Sequence, residues 1–144
     1  MPLMRRGLPS LLALALWLCP AGARAACQVA LQSVVFGSIN VLQNNLGNGR
    51  VDVTCTAATS FQVGIPGADG DGLRTMTGPG GALLDYYLSS QAGFGTLWGD
   101  GASAVSGTNN GSQPTSLIIY GVVPQQPGMP PGAYAAQLFV TLTF

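Results

Sequence analysis

The sequence GAYAAQLFVTLTF, residues 132–144, reads as one unbroken β-strand at the carboxyl end of the chain. One face of this predicted strand carries the side chains of Tyr134, Ala136, Leu138, Val140, Leu142 and Phe144. The opposite face is small or polar, and only Phe139 interrupts the alternation. A period of two residues is typical of a strand with one buried face. No further strand follows in the sequence, so we expect the free edge of this strand to be covered from elsewhere.

Five more strand-like runs precede it. They cover residues 27–37, 50–57, 61–67, 82–90 and 115–123. The segments 66–81 and 99–114 are rich in glycine, proline and small polar residues, and we expect both to be loops. No run after residue 26 shows a 3.6-residue apolar period, so we expect almost no helix there. Six strands at this spacing predict an all-β, immunoglobulin-like antiparallel β-sandwich, one strand short of the usual minimum of about seven.

The amino-terminal residues have the order of a secretory signal peptide. Arg5 and Arg6 form a basic region, residues 8–18 form an apolar region, and Ala23–Ala25 offers a small-residue cleavage site. About eleven apolar residues are too few to span a hydrocarbon layer of roughly 30 Å, which disfavours a membrane anchor. We therefore predict a signal-peptide helix at 1–25, an exported domain at 26–144, and no membrane insertion after cleavage.

Export changes the cysteine count. Cys19 lies in the predicted signal peptide, which leaves Cys27 and Cys55 in the mature chain, both in phase with the apolar face of their strands. An even pair of cysteines in an exported protein predicts a disulfide bond. A lipid on Cys27 is the alternative, and Arg24 disfavours it because it stands where lipidation sites carry a leucine-like residue.

Charged side chains are scarce in the predicted mature chain. It has two arginines and five aspartates, a net charge of about −3, and no lysine, glutamate or histidine. Nucleic acids and anionic lipids attract clustered lysine and arginine, so neither is an expected partner. Catalysis near neutral pH commonly uses histidine as its proton carrier. We therefore do not expect an enzyme.

Two other patterns are candidates for a binding site. Asp69 and Asp71 lie in the run DGDG, where a carboxylate pair could serve glycoside hydrolysis or calcium binding. Their flanking glycines favour a turn instead, and the residues that would complete an EF-hand loop are missing. Four aromatic residues could line a sugar-binding surface: Tyr86, Tyr87, Trp98 and Tyr120. For most of these aromatic residues a position in the core is favoured. We expect no cofactor and no metal.

The order of residues along the chain resembles the spore coat protein U domain, the subunit type of archaic chaperone–usher pili. The resemblance covers nearly the whole predicted mature chain, and its specificity lies in the ordered set rather than in any one element. The matching positions are Cys27, Phe36, Gly37, Gly49, Val53, Cys55, Arg74, Met76, Leu84, Tyr86, Leu88, Trp98–Gly101, Tyr120, Gly121, Val123, Pro124, Gly132, Tyr134 and Val140–Phe144.

Pilus subunits of this kind are incomplete sandwiches, so the resemblance implies that another polypeptide supplies the seventh strand in trans. A periplasmic chaperone would supply it first, and a neighbouring pilus subunit would replace it as the outer-membrane usher assembles the fibre. The implied function is a structural or adhesive pilus subunit, exported to the periplasm and then to the cell surface. The groove for the donor strand would be lined by Val29, Leu31, Tyr134, Leu138, Val140, Leu142 and Phe144.

Two departures from the family pattern bear on this function. Ala136 stands where typical members have an aspartate. With cleavage after Ala25, the mature chain would begin one residue before Cys27 and would have no donor segment of its own. Such a subunit could accept a strand without giving one, which suggests the distal tip of a fibre. The alternative is a secreted coat or carbohydrate-binding β-sandwich that folds alone with its edges protected.

Overall fold

The computed structural model describes residues 24–144, so most of the predicted signal peptide lies outside the described residues. Within this part the chain forms eight strands. They are β1 (Cys27–Val35), β2 (Asn45–Cys55), β3 (Thr59–Gly64), β4 (Arg74–Thr77), β5 (Leu83–Ser89), β6 (Val105–Asn109), β7 (Thr115–Val123) and β8 (Thr141–Thr143). The helical turns of the described chain are two short 3₁₀ helices, Pro79–Gly81 and Gly101–Ser103, in agreement with the missing helical period.

The strands form two antiparallel sheets. One sheet has five strands in the order β1-β2-β7-β5-β4, and the other has three in the order β6-β3-β8. This arrangement confirms the prediction of an all-β, immunoglobulin-like sandwich. β1 lies at one edge of the five-stranded sheet, and β8 lies at one edge of the three-stranded sheet. The first and last strands of the described chain are therefore both edge strands.

The core lies between the sheets and is built from alternate residues of the strands. Along β2, buried positions alternate with more exposed ones over the whole strand, as a period of two requires. The inward side chains of the central strands include Val51, Val53, Val63, Leu84, Leu88 and Ile119, all at 0% exposure. Each buried side chain of this size contributes about 1.5–3 kcal/mol, so the centre of the sandwich supplies most of the apolar stabilisation.

Two side chains tie the sheets together at one end of the core. The indole N–H of Trp98 donates to the Val63 carbonyl of β3 at 2.9 Å, and the backbone N–H of Trp98 donates to the Leu88 carbonyl of β5 at 2.8 Å. The buried guanidinium of Arg74 donates to the Trp98 carbonyl and to two carbonyls that follow β3. The interpretation of Trp98 as a core residue is confirmed.

β4 and β6 lie in segments that the sequence predicts as loops, so both loop predictions and the count of six strands are wrong. β4 has only four residues between glycine-rich turns, which leaves too short a pattern to detect, although Arg74 and Met76 are buried. β6 is specified by its pairing with β3. At its end the Asn109 side chain donates to the Val53 carbonyl and accepts from the Cys55 N–H. Such tertiary contacts override a weak local preference.

The prediction of one unbroken strand over residues 132–144 is also wrong. Ala135 pairs with Thr77 at the edge of the five-stranded sheet, whereas β8 pairs with β3 in the three-stranded sheet. Residues 136–140 belong to no ladder or bridge of the described chain. The segment is anchored to a different sheet at each end, and its middle pairs with neither.

A disulfide bond joins Cys27 and Cys55, which confirms the predicted pairing. The two cysteines lie directly opposite each other in the ladder between β1 and β2. Next to them, the Thr56 N–H donates to the Ala26 carbonyl, and the Ala26 N–H donates to the Thr56 hydroxyl. The amino end of β1 is therefore fixed to β2 by covalent and hydrogen bonds. Within residues 24–144, no helix has the length and apolar character needed to cross a membrane.

Candidate groove between the first and last strands

A cleft of about 320 Å³ opens on the inner face of the five-stranded sheet. Residues 33–37, at the end of β1, form one side, and residues 134–138 form the other. Met76 of β4 and Tyr86 of β5 are buried core residues that form its floor. We call this cleft the groove.

The first strand reaches the groove because it leaves its ladder. β1 pairs residue by residue with β2 as far as Gln32, and the register then shifts before Val35, as in a β-bulge. A glycine in β7 provides the space for this change, because a Cβ atom at Gly121 would lie only 2.7 Å from the Phe36 ring. The Phe36 ring therefore lies against the inner face of the sheet. It packs edge-on against Tyr86, with the ring centroids 6.1 Å apart.

Burial shifts the pKa of the tyrosine in the floor of the groove. Arg74 and Tyr86 lie opposite each other in the ladder between β4 and β5. Desolvation raises the pKa of Tyr86, and the charge of Arg74 offsets part of that increase. Desolvation also lowers the pKa of Arg74, although arginine stays protonated in proteins. A phenol with the ordinary pKa of 10.0 is already neutral near neutral pH, and the raised pKa of Tyr86 keeps this ring uncharged to higher pH.

The apolar side chains along both sides of the groove are only half-buried. Val34 and Phe36 line the cleft on the first-strand side, and Tyr134 and Leu138 line it on the carboxyl-terminal side. Leu31, Val140 and Leu142 are half-buried in the same two segments, beyond the cleft. All of them pack against the core, yet the inward side chains of the central strands are fully buried. Two incompletely covered apolar rows that border one cleft are typical of a binding surface.

Unpaired strand edges belong to the same two segments of the chain. In the described chain β1 pairs only with β2 and β8 pairs only with β3, so each strand keeps one open edge. Residues 136–140, between the two anchored ends of the last segment, also lack a strand partner there. An open edge can accept an extended polypeptide through main-chain hydrogen bonds, while alternate side chains enter a neighbouring cleft. The groove has both features.

The structure brings part of the predicted groove set together. Tyr134 and Leu138 line the cleft itself. Three further residues lie half-buried against the core: Leu31, Val140 and Leu142. Val29 is 39% exposed and Phe144 is 57% exposed, and neither lines the cleft.

The predicted set lacks the four larger apolar lining residues whose side chains are buried or half-buried: Val34, Phe36, Met76 and Tyr86. The sequence contains a signal for the first two, because the apolar phase of β1 changes from odd positions at Leu31 to even positions at Val34 and Phe36. This change marks the register shift. Met76 is missing because the sequence predicts a loop where β4 lies. Tyr86 is missing because its strand is distant in sequence from both sides of the groove.

Comparison with known proteins identifies the family. The family model described as the Spore Coat Protein U domain matches residues 14–141 of this sequence. This chain belongs to the Spore Coat Protein U domain family. Family membership confirms the resemblance noted in the sequence.

The fold of this Spore Coat Protein U domain is also found among solved structures, of which 14 chains match significantly. One belongs to the crystal structure of the CsuC–CsuE chaperone–tip adhesion subunit pre-assembly complex from archaic chaperone–usher Csu pili of Acinetobacter baumannii. It matches with a TM-score of 0.62 and 18% sequence identity. The match covers 83% of this chain and 40% of that chain, so this chain spans less than half the length of its structural relative. No curated protein matches the chain significantly.

The acidic run of this Spore Coat Protein U domain forms a turn. The Asp69 carboxylate accepts hydrogen bonds from the backbone N–H groups of Asp71 and Leu73, at 2.9 and 2.8 Å. An aspartate that bonds to its own backbone in this way is typical of an Asx-turn. In the part of the chain that the structure describes, no cluster of three or more His, Cys, Asp or Glu side chains could hold a metal ion.

Proposed function

We propose that this chain is a structural or adhesive subunit of a chaperone–usher pilus and that a β-strand from another polypeptide completes it. Family membership and a fold similar to that of a pilus subunit complex support the pilus role. The observation that carries the donor-strand part is the groove, where half-buried apolar rows and open strand edges border one cleft. The proposed role is not enzymatic.

The donor strand would lie between β1 and the carboxyl-terminal segment. Its backbone would pair with the open edge of β1 and with residues 136–140, and its apolar side chains would contact Phe36, Met76 and Tyr86. Four or five such side chains, buried at roughly 1.5–3 kcal/mol each, would contribute a gross free energy comparable with the roughly 5–15 kcal/mol that stabilises a whole domain. The other predicted groove residues would extend the contact along both sides.

Three partners follow from this role. A periplasmic chaperone would donate the first strand, the outer-membrane usher would receive the complex, and a neighbouring subunit would then replace the chaperone's strand. The matched crystal structure contains a chaperone with a tip adhesion subunit, which supports the chaperone step for this chain. The chain would reach the periplasm and then the cell surface after removal of the signal peptide at 1–25.

We also propose a position at the distal tip of the fibre. β1 begins at Cys27, and cleavage after Ala25 would leave one residue before it, too little to form a donor strand. Amino-terminal sequencing of the exported protein tests this position. We expect the mature chain to start at Ala26, and a start well before Ala26 that leaves Leu11 to Leu18 attached would contradict the tip position.

Expression of residues 26–144 with and without a donor strand tests the function itself. The donor is a segment of alternating valine and threonine, fused after Phe144 through a flexible Gly/Ser linker. A fusion in which serine replaces each valine is the matched control. We expect the valine fusion to be a soluble monomer with a cooperative urea transition, and the other two proteins to aggregate. A cooperatively folded monomer that gains nothing from the donor would instead indicate a secreted sandwich that folds alone.

A further inference from the structure

A second pocket lies on the outer face of the five-stranded sheet. It has a volume of about 280 Å³ and is formed by β2, β7 and the loop that follows β5. Leu46, Asn48, Phe94 and Tyr120 are its larger lining residues. The proposed donor-strand function does not involve this pocket, because the sheet separates it from the groove. The pocket would therefore stay accessible to a ligand when a donor strand fills the groove.

The backbone at Phe94 is strained. Phe94 has a φ of 56° and is the one non-glycine residue with a positive φ among residues 24–144. This left-handed conformation crowds the Cβ atom of any residue other than glycine, and it is especially disfavoured for a bulky side chain. Gly93 and Gly95 flank it, and glycine would adopt this conformation freely. The strained residue is thus the one whose aromatic ring lines the pocket. Backbone strain of this kind is concentrated at functional sites.

The pocket combines aromatic rings with uncharged polar groups. Asn48 is exposed and lies directly opposite Tyr120 in the ladder between β2 and β7. Within the described residues, the Asn48 amide and the Tyr120 hydroxyl take part in no side-chain hydrogen bond, so both can bond to a ligand. No charged side chain lines the pocket. Its chemistry therefore favours a neutral ligand with one apolar face and several hydroxyl groups.

We propose that this pocket binds a neutral pyranose sugar. The C–H face of a pyranose packs against an aromatic ring, and its peripheral hydroxyl groups pair with amide and phenol groups. Phe94 and Tyr120 supply the aromatic surfaces, while Asn48 and the Tyr120 hydroxyl supply the hydrogen bonds. The volume of about 280 Å³ lies just below the range of roughly 300–1,000 Å³ for small-molecule pockets, which favours a ligand no larger than a single sugar ring. A stable protein interface would need roughly 800 Å² on each partner, far more than one indentation offers.

Titration with four methyl glycosides, those of glucose, galactose, mannose and N-acetylglucosamine, tests the proposal by saturation-transfer NMR. The sample is the mature protein, alone if it is soluble and otherwise with a donor strand, so the outcome is independent of the pilus role. We expect at least one glycoside to bind, and Phe94→Ala to weaken its binding about tenfold. Leu83→Ala changes an exposed residue outside the pocket and should leave binding unchanged.

Phe94→Gly distinguishes a binding role from a packing role. Because glycine tolerates the positive φ, this variant should keep or gain thermal stability while sugar binding falls about tenfold, as in Phe94→Ala. The proposal is overturned if none of the four glycosides binds or if Phe94→Gly binds normally. A loss of both stability and binding in Phe94→Gly would assign a packing role and overturn it as well. Dimerisation that Phe94→Ala abolishes, without sugar binding, would assign the pocket to a second copy of the chain.

Discussion

The Phe36→Ala substitution should weaken donor-strand binding more than it weakens the domain itself. In the described chain the Phe36 ring is half-buried, packs edge-on against Tyr86 and lies against the backbone at Gly121. A donor strand in the groove would cover the part of the ring that is still exposed. The substitution should therefore cost more free energy in the complex than in the free domain.

The size of this difference follows from burial. Half-burial of a phenylalanine contributes about half of the roughly 1.5–3 kcal/mol for full burial, and the edge-on contact with Tyr86 adds about 0.5–1.5 kcal/mol. Phe36→Ala should thus cost about 2 kcal/mol in the free domain. In a filled groove Phe36 becomes a core residue, for which the change costs about 3–5 kcal/mol. The difference of about 2 kcal/mol corresponds to a roughly 30-fold increase in the Kd of the donor strand.

Competition between a labelled and an unlabelled valine–threonine peptide measures this Kd on the preformed complex. Phe139→Ala is the matched control, because Phe139 follows Leu138 in the same segment but is 62% exposed. We expect this control to change the Kd by no more than about twofold, as for most surface substitutions. Equal Kd values for Phe36→Ala and the unchanged protein would refute the placement of the donor strand over Phe36.

Three further predictions concern the stability of the soluble valine fusion. Replacing Cys27 and Cys55 by serine should lower the free energy of unfolding in urea by about 3.5 kcal/mol, the loop-entropy value for a separation of 28 residues, and reductant should have no effect on this variant. Arg74→Met removes the hydrogen bonds to the carbonyls of Trp98, Ile65 and Pro66 and should cost about 3 kcal/mol or more, seen as a lower Tm. An unchanged Tm would contradict the tie between the sheets. Burial raises the pKa of Tyr86, so the stability gained by keeping this phenol neutral is complete below its ordinary value of 10.0 and is lost as the pH rises above it. Urea titrations at several pH values below and above 10.0 should show a smaller loss of unfolding free energy for Tyr86→Phe than for the unchanged protein.

Period-two alternation predicts the strands in which one face is buried along the whole length. β2 and β5 are of this kind, and Val51, Val53 and Leu88 are buried at alternate positions along them. The alternation also orients the last segment correctly, since Leu138 is half-buried and Phe139 is exposed. It does not predict pairing, because a side-chain pattern contains no information about which edge offers hydrogen bonds.

The parts that the sequence does not predict depend on contacts between distant residues. β6 is a strand because Asn109 bonds to Val53 and Cys55, more than fifty positions earlier in the chain. The place of Phe36 depends on the absence of a side chain at Gly121 in another strand. Neither dependence appears within a local window of sequence. Of the residues that line the cleft, Tyr134 and Leu138 are accordingly predictable from the apolar alternation, and the others require the fold.

The disulfide bond has a mechanical consequence for an edge strand. Cys27 is the first residue of β1, and its bond leads to Cys55 at the end of β2, which lies between β1 and β7. Tension applied at the amino end of the domain would pass through this covalent bond directly into an interior strand. The hydrogen bonds between β1 and β2 would not then be loaded one after another, as they are when an edge strand is peeled away. The first-strand side of the groove, which carries Val34 and Phe36, would therefore keep its shape when the amino end is pulled.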